Sequence, residues 1–400
     1  MTSKPSPPAA VLAGGGIALL ALTLGLIQSS GFFSTEGVTG YRLPDHPVLM
    51  KNGYDWWWHN LVAVSRKDGS LRPFFIEYYV VNPKLAQSEP VFGKNGTNKP
   101  SYALLTAGSW GKDACKINNF YPISQFSADR NRMEVKIGDD NFANDTILYG
   151  AVSLSQEAAV AHPEYFSDAG FMSWSLHAEK VLSFNPGYGV SKGLRNLALF
   201  QMFWHVKGMR TRYSGTIMYN GEVFDVLPDK SYGYQDKNWG TEYTNPWIWL
   251  STNKLVSRKT GEELQHSSLD CGGGNPVVAG IPLGVKLLVA FYYEGTLYEY
   301  NFSKLSAFVF PTITVTETEV KWHIVAYNFH SKIVLDFSAP KDTMIKIRYE
   351  SPADGLIKHK NLWNTGYAKG TIELYKRTLF GWDAVDTLDG DMGGAEYGEY

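Results

Sequence analysis

The chain of 400 residues has only two cysteines, Cys115 and Cys271, and almost no excess charge of either sign. Two cysteines exclude a disulfide-dense scaffold, and no Cys/His cluster has the spacing of a zinc site. The formal net charge of −2, from 37 basic and 39 acidic residues, argues against a nucleic-acid binder. The sequence also lacks a Gly-rich phosphate loop and a Gly-x-Ser-x-Gly nucleophile elbow. We therefore predict no metal, no cofactor and no nucleic-acid partner.

Aromatic residues, in contrast, are abundant. The chain has 12 Trp, 24 Tyr and 21 Phe, together 14% of all residues. The hydrophobic fraction of 44% allows a large buried core and excludes disorder of the whole chain. A β-rich fold explains part of the aromatic content, because aromatic side chains favour strands. An aromatic-lined cavity for an apolar ligand is the more specific interpretation.

The N-terminal segment is unusually apolar. After Lys4 no charged residue occurs before Glu36, and Ala9–Ile27 is a nearly pure run of small and aliphatic residues. Nineteen such residues are just long enough to span a bilayer as a helix. We predict that residues 1–36 form an N-terminal apolar helix that acts as a signal-anchor or a signal peptide, with the protein membrane-anchored or in the secretory pathway. The membrane is then a partner through this segment.

Residues 37–400 show many short strand-like runs separated by turn signals, about ten residues apart. The Asn220-Gly221 pair within residues 211–226 predicts a β-hairpin. Short helices are predicted at Gln156–Ala161, capped by Ser155, and at Lys192–Phe203. This pattern predicts an all-β fold with a few short helices. Its length favours two barrels or sandwiches, which we place at residues 37–243 and 244–400.

The densest group of chemically useful residues is the segment 232–240. In a strand, alternate side chains share a face, so Tyr232, Tyr234, Asp236 and Asn238 are expected on one side. In an apolar cavity, burial raises the pKa of Asp236 and favours the neutral acid, which can donate a proton. The alternative is that Asp236 and Asn238 bond the backbone of a loop.

A second group combines three consecutive tryptophans with a histidine. Trp56 and Trp58 share one face of a strand, and Trp57 and His59 share the other. His59 is a candidate for proton transfer or an ordinary buried histidine. Trp247 and Trp249 form a similar pair on one face, for which core packing is the simpler reading.

A carboxylate, Glu77, lies within the apolar run 74–80. It must be paired, neutral or exposed to water, and Arg72 is a plausible partner. Two carboxylates drawn from Asp236, Glu242 and Glu77 also keep open a carbohydrate-active site, for which aromatic platforms are suited.

The string Gly-Tyr-Gln-Asp-Lys-Asn-Trp-Gly at 233–240, followed by Trp-Ile-Trp-Leu at 247–250, resembles the motif of the tocopherol cyclase-like group. That group is related to carotenoid 1,2-hydratases and lipocalin-like pericyclases. The blocks at 56–60 and 74–78 resemble the first strands of such proteins. The resemblance implies two lipocalin-like β-barrel domains with an apolar pocket at or near their interface. In carotenoid hydratases a Tyr-x-Asp pair is part of the acid site, and its match here is Tyr234 with Asp236.

These observations together predict a cofactor-independent cyclase that acts on a lipophilic isoprenoid or polyene substrate. Ring closure would begin with protonation by Asp236 assisted by Tyr234, or would follow from folding the substrate into a reactive shape. A hydratase of an isoprenoid double bond and a non-catalytic isoprenoid or lipid carrier remain alternatives. The sequence does not determine the oligomeric state. Predicted substrate-binding residues are Trp56, Trp58, His59, Glu77, Tyr232, Asn238, Trp247 and Trp249.

Overall fold

A computed structural model describes residues 36, 38–43, 53–184, 200–278, 280–301, 307–359 and 361–400. The apolar segment Ala9–Ile27 lies outside these residues, as does most of the predicted helix Lys192–Phe203, whose last two residues instead begin a strand. No helix in the described part of the chain is long and apolar enough to cross a membrane.

The first sheet contains twelve strands. Strand β1 is central, and β2, β3 and β4 follow it on one side. On its other side β11 and β12 pair with successive halves of β1, and both also pair with the long strand β10. The strands are β1 Tyr54–Ser65, β2 Leu71–Val81, β3 Tyr102–Ser109, β4 Cys115–Tyr121, β5 Phe126–Ala128, β6 Glu134–Ile137, β7 Asn141–Asn144, β8 Ile147–Leu154, β9 Gly170–Phe184, β10 Met202–Tyr219, β11 Glu222–Val226 and β12 Gly233–Gly240.

The second sheet begins after β12 and contains eleven strands, with β16 and β17 forming a separate small ribbon. Its long hairpin β24–β25 lies at the centre, and β20 packs back against β18 and β19. The strands are β13 Trp247–Thr252, β14 Lys254–Ser257, β15 Ser268–Gly274, β16 Val277–Val278, β17 Ile281–Pro282, β18 Lys286–Tyr293, β19 Thr296–Asn301, β20 Phe308–Val315, β21 Glu319–Tyr327, β22 Ser331–Pro340, β23 Ile345–Ile347, β24 Leu362–Thr378 and β25 Gly381–Gly398.

The prediction of an all-β fold with barrel-type sheets is confirmed. One α-helix, α1 Gln156–Ala161, is described, and Ser155 caps it by accepting a hydrogen bond from the Ala158 N–H. The predicted hairpin is also present, because Asn220 and Gly221 both adopt the positive φ that a tight turn between β10 and β11 requires. The division into domains at residue 243 stays a prediction. The change of sheet falls between the end of β12 at Gly240 and the start of β13 at Trp247.

Among the described residues, three large hydrophobic clusters form the core, and a fourth, small one contains Phe203 and Trp239. One fills the first sheet and includes Trp57, and another fills the second sheet and includes Trp322. The third lies between the sheets and includes Trp56, Trp58 and Trp249. Strands β21 and β22 alternate buried and exposed residues, as expected for strands with one solvated face. Strands β1, β12 and β13 are buried on both faces because the other sheet covers their outer side.

The two cysteines are both free thiols. Cys115 lies in the cluster of the first sheet and Cys271 in that of the second. The two cysteines are therefore not paired with each other in this structure.

Candidate active site

A small cavity lies between the two sheets, and its walls come from both. Strand β1 contributes Trp56 and Trp58, and β12 contributes Asp236. The remaining wall residues come from the second sheet and from the chain after β23; they are Trp247, Trp249, Tyr349 and Glu396. The cavity measures about 20 Å³. A smaller cavity of about 10 Å³ adjoins it and shares Trp56, Trp247, Tyr349 and Glu396. Each volume is on the order of one water molecule.

Strand register brings the wall residues from the first sheet together. Trp58 lies directly between Asp236 on β12 and Glu77 on β2, and Trp56 lies between Asn238 and Tyr79. Because directly opposed residues project to the same face, these side chains all point towards the second sheet. The predicted alternation of side chains is therefore confirmed for Trp56 and Trp58 on β1 and for Asp236 and Asn238 on β12.

Asp236 is a buried acid, with 6% of its surface exposed. Its Oδ2 accepts hydrogen bonds from Trp204 Nε1 at 2.8 Å and from the Tyr234 hydroxyl at 3.2 Å. Its Oδ1 has no hydrogen-bond partner among the described residues. Burial raises the pKa of Asp236 to about 7, and the neighbouring Glu396 carboxylate acts in the same direction, while the Trp204 hydrogen bond opposes it. A substantial fraction of Asp236 is therefore protonated at neutral pH.

The lysine that follows Asp236 in sequence does not neutralise it. Lys237 projects to the opposite face of β12, where it forms an ion pair with the buried Asp55 and lies 4.1 Å from the centroid of the Trp57 ring. Alternation along the strand thus separates an adjacent acid and base into different environments. In the part of the chain that the structure describes, Asp236 forms no ion pair with Lys or Arg.

Two carboxyl groups that the sequence analysis did not select lie beside Asp236. Asp270 on β15 is fully buried and accepts a hydrogen bond from Trp249 Nε1 at 3.2 Å. Burial raises the pKa of Asp270 well above its usual value, and the charge of Asp236 raises it further. Glu396 on β25 accepts hydrogen bonds from Trp247 and Asn364, and burial raises its pKa to about 6. The pairing of β13 with β15 and β25 places these residues beside β13, and the packing of the second sheet on the first brings them to Asp236.

Glu77 is buried, but the prediction that Arg72 is its partner is wrong. Arg72 forms an ion pair with Asp113 at 2.8 Å, whereas Glu77 accepts a hydrogen bond from the Tyr349 hydroxyl at 2.9 Å. Burial raises the pKa of Glu77 to about 8, with the Tyr349 hydrogen bond opposing the rise. Tyr349 also stacks on Trp56, with ring centroids 5.3 Å apart. Glu77 therefore supports the cavity wall from behind Tyr349.

Five of the predicted site residues do not line the cavity: Glu77, Tyr234, Asn238, His59 and Tyr232. The last two bond to residues away from it. His59 lies on the opposite face of β1, bonded to the Tyr213 hydroxyl at 2.9 Å, and burial holds its pKa well below the usual value. Tyr232 precedes β12 with a positive φ, which interrupts the alternation assumed for it. Its hydroxyl donates to Glu263 at 3.1 Å. The prediction that Tyr232 and Asp236 lie on the same face of the strand is therefore wrong.

Asn238 and Tyr234 hold the strand that carries Asp236. Asn238 Oδ1 accepts a hydrogen bond from the Tyr54 hydroxyl at 3.1 Å. The Tyr234 ring packs 5.2 Å from Trp249, and burial raises the pKa of its phenol well above the usual value, so the hydroxyl remains a donor to Asp236. The site thus combines a partly protonated carboxylic acid with aromatic walls, and no Lys or Arg of the described residues forms an ion pair with that acid.

A family model described as tocopherol cyclase-like matches residues 156–399, more than half of the chain. The match includes Asp236 and Glu396 but not Trp56, Trp58 or Glu77. The comparison with curated proteins gives no match.

Two solved structures resemble the fold at low identity. A putative AttH from Nitrosomonas europaea is 11% identical, with 87% of this chain and 92% of that chain covered and a TM-score of 0.43. Kievitone hydratase from Nectria haematococca is 10% identical, with 90% and 92% covered and a TM-score of 0.41. Neither likeness is close enough to carry information about the reaction.

Proposed function

The chain belongs to the tocopherol cyclase-like family, and we propose that it is a cofactor-independent cyclase acting on a lipophilic isoprenoid or polyene substrate. The observation that carries this proposal is Asp236, a buried acid in an aromatic wall that forms no ion pair with a basic residue in the described part of the chain. A carboxylic acid kept partly neutral by its surroundings can serve as a proton donor at neutral pH. Asp236 and Tyr234 are the proposed catalytic residues.

Ring closure begins with transfer of the Asp236 proton to one carbon of a substrate double bond. Because Oδ2 already accepts two hydrogen bonds, Oδ1 is the oxygen that carries this proton. The new C–H bond leaves a carbocation on the neighbouring carbon. A hydroxyl of the same substrate then forms a C–O bond to that carbon and returns its proton to Asp236. Substrate and product are isomers, and the acid is regenerated.

Aromatic faces stabilise the positive charge during this reaction. Trp56, Trp58, Trp247 and Trp249 line the cavity beside Asp236. A cation over a desolvated tryptophan face gains about 2 kcal/mol. Burial also limits access of bulk water, which would otherwise capture the cation before the ring closes.

The cavity must enlarge to admit such a substrate, since its volume of about 20 Å³ is far below that of an isoprenoid chain. Tyr349 is the wall residue that lies outside the strands, between β23 and β24. Rotating its side chain away from Trp56 breaks the hydrogen bond to Glu77 but no strand pairing. We therefore assign the opening of the cavity to Tyr349 and its connecting segment.

A hydratase is the second candidate, favoured by one specific observation. The cavity has room for about one water, and Asp236 Oδ1 and Asn238 Nδ2 are buried polar atoms without partners among the described residues. A water held there would capture the carbocation in place of the substrate hydroxyl. A carbohydrate-active site, in contrast, requires an open groove with two facing carboxylates.

The test uses full-length protein, a prenylated hydroquinone as probe, and D₂O as solvent. Protonation followed by cyclisation gives an isomer of the probe with one deuterium on carbon. Addition of water gives a heavier product and supports the hydratase. Conversion without deuterium on carbon contradicts proton donation by Asp236 and indicates substrate folding alone.

The matched variants are Asp236→Asn and Asp139→Asn, the latter at a fully exposed side chain. We expect Asp236→Asn to lower the rate by about a hundredfold or more, within the range for loss of a general acid, and Asp139→Asn to leave it unchanged. Binding of the probe without conversion by wild type and both variants refutes catalysis on this probe and favours a carrier.

A further inference from the structure

Two adjacent β-turns at one end of the second sheet expose large apolar side chains. Phe329, in the β21–β22 turn, is 72% exposed. Leu379 and Phe380, in the β24–β25 turn, are 96% and 100% exposed. The turns are neighbours, since the Arg377 N–H donates to the His330 carbonyl at 2.8 Å. Full exposure of such side chains on adjoining turns is costly in water and marks an interaction surface.

Aromatic and basic residues surround these three side chains. Lys332 Nζ lies 4.1 Å from the centroid of the Tyr375 ring, and the Arg377 guanidinium lies 4.9 Å from that of Trp382. Tryptophan and tyrosine concentrate at the level of lipid headgroups, and lysine and arginine extend towards phosphates. The apolar side chains at the tip, with aromatic and basic residues around them, match the layers of a membrane surface.

The charge of the two turns is also complementary to anionic lipid. Residues 327–332 and 375–383 contain Lys332, Lys376 and Arg377 against one acid, Asp383, which is paired across the hairpin with Lys376. The adjoining strand β19 contributes Glu299 to a groove beside these turns. Glu373, bonded to the Tyr375 hydroxyl, makes the acidic and basic residues equal in number around the two turns. Next to the Leu379–Phe380 tip itself, however, the exposed charged residues are Lys376 and Arg377 against Asp383 alone.

We propose that the β21–β22 and β24–β25 turns form a membrane-contact surface for bilayers that contain anionic lipid. Phe329, Leu379 and Phe380 enter the boundary between headgroups and acyl chains, while Lys332, Lys376 and Arg377 contact the phosphates. A protein partner fits less well, because a stable interface buries about 800 Å² on each partner, whereas three side chains on protruding turns offer much less. The surface shares no residue with the lining of the cavity.

The test places a polarity-sensitive dye at the tip of the full-length protein. Both native cysteines are buried, so Thr378→Cys supplies an accessible thiol for labelling. We expect the dye emission to shift to shorter wavelength when vesicles of phosphatidylcholine and phosphatidylserine are added, and less with phosphatidylcholine alone. The same dye at Asp139→Cys, an exposed position in the first sheet, should not respond.

Replacement of Leu379 and Phe380 by Ser in the labelled protein should lower the vesicle association constant of the tip by about a hundredfold. Burial of each side chain contributes about tenfold or more to such a constant. An unchanged emission with anionic vesicles overturns the proposal. An emission shift that depends on protein concentration without vesicles also overturns it, because it identifies a second copy of the chain as the occupant.

Discussion

The raised pKa of Asp236 has a consequence for folding that can be measured without knowing the substrate. The folded-state pKa of about 7 lies above the ordinary value of 3.8. Between these pH values the folded protein holds a proton that the unfolded chain has lost. The contribution of Asp236 is therefore most favourable below about pH 4 and is lost as pH rises to about 7.

The substitution Asp236→Asn removes this dependence. The difference between the two pKa values corresponds to about 4 kcal/mol, at roughly 1.4 kcal/mol per pKa unit. Asparagine keeps an oxygen that can accept from Trp204 and Tyr234 and carries no charge at any of these pH values. We expect the variant to be about as stable as wild type near pH 4 and to be more stable by up to about 4 kcal/mol above pH 7.

Urea denaturation of both proteins at a series of pH values between 4 and 8.5 measures this difference. The control is Asp139→Asn, whose side chain is fully exposed and whose stability should follow that of wild type at every pH. A difference between wild type and Asp236→Asn that stays constant with pH would refute the reasoning. It would mean that Asp236 is ionised in the folded protein throughout, and that the proposed proton donor is absent.

Three further outcomes follow from the same contacts. Lys237→Met should destabilise the protein by about 3–5 kcal/mol in urea, because Asp55 is left buried without its cation; a loss below 1 kcal/mol would contradict a buried ion pair. Trp204→Phe removes a hydrogen bond that lowers the pKa of Asp236, so the pH range of falling stability should extend to higher pH in the same denaturation series. An unchanged range would show that this bond does not act on the acid. Cys271 is fully buried and burial raises its thiol pKa, so it should react with a thiol reagent only on unfolding; rapid reaction of the native protein would disagree.

Local sequence pattern was enough to predict the strands and part of the site. The Asn220-Gly221 turn and the Ser155 cap act through neighbouring residues, and both are present. Alternation placed Trp56 and Trp58 on the face opposite to Trp57, which is also observed. The same reasoning failed at Tyr232, because one positive φ before the strand changes which face the side chain occupies.

The partners of the three consecutive tryptophans cannot be predicted from the local sequence pattern. Three consecutive tryptophans in one strand need large apolar partners on both of its faces. The structure provides them from two sources: the core of the first sheet around Trp57, and the second sheet around Trp56 and Trp58. The aromatic content therefore reflects a contact between sheets as well as a β-rich fold.

By itself, the sequence determined the all-β class, the resemblance to the tocopherol cyclase-like group and the choice of Asp236 as the central acid. Only the tertiary structure decided which groups surround that acid. Asp270, Tyr349 and Glu396 are separated from Asp236 by 34 to 160 residues and reach it through strand pairing and the packing of one sheet on the other. Burial is a property of that packing. The pKa of Asp236, and with it the proposed chemistry, is therefore set by residues whose proximity no local pattern encodes.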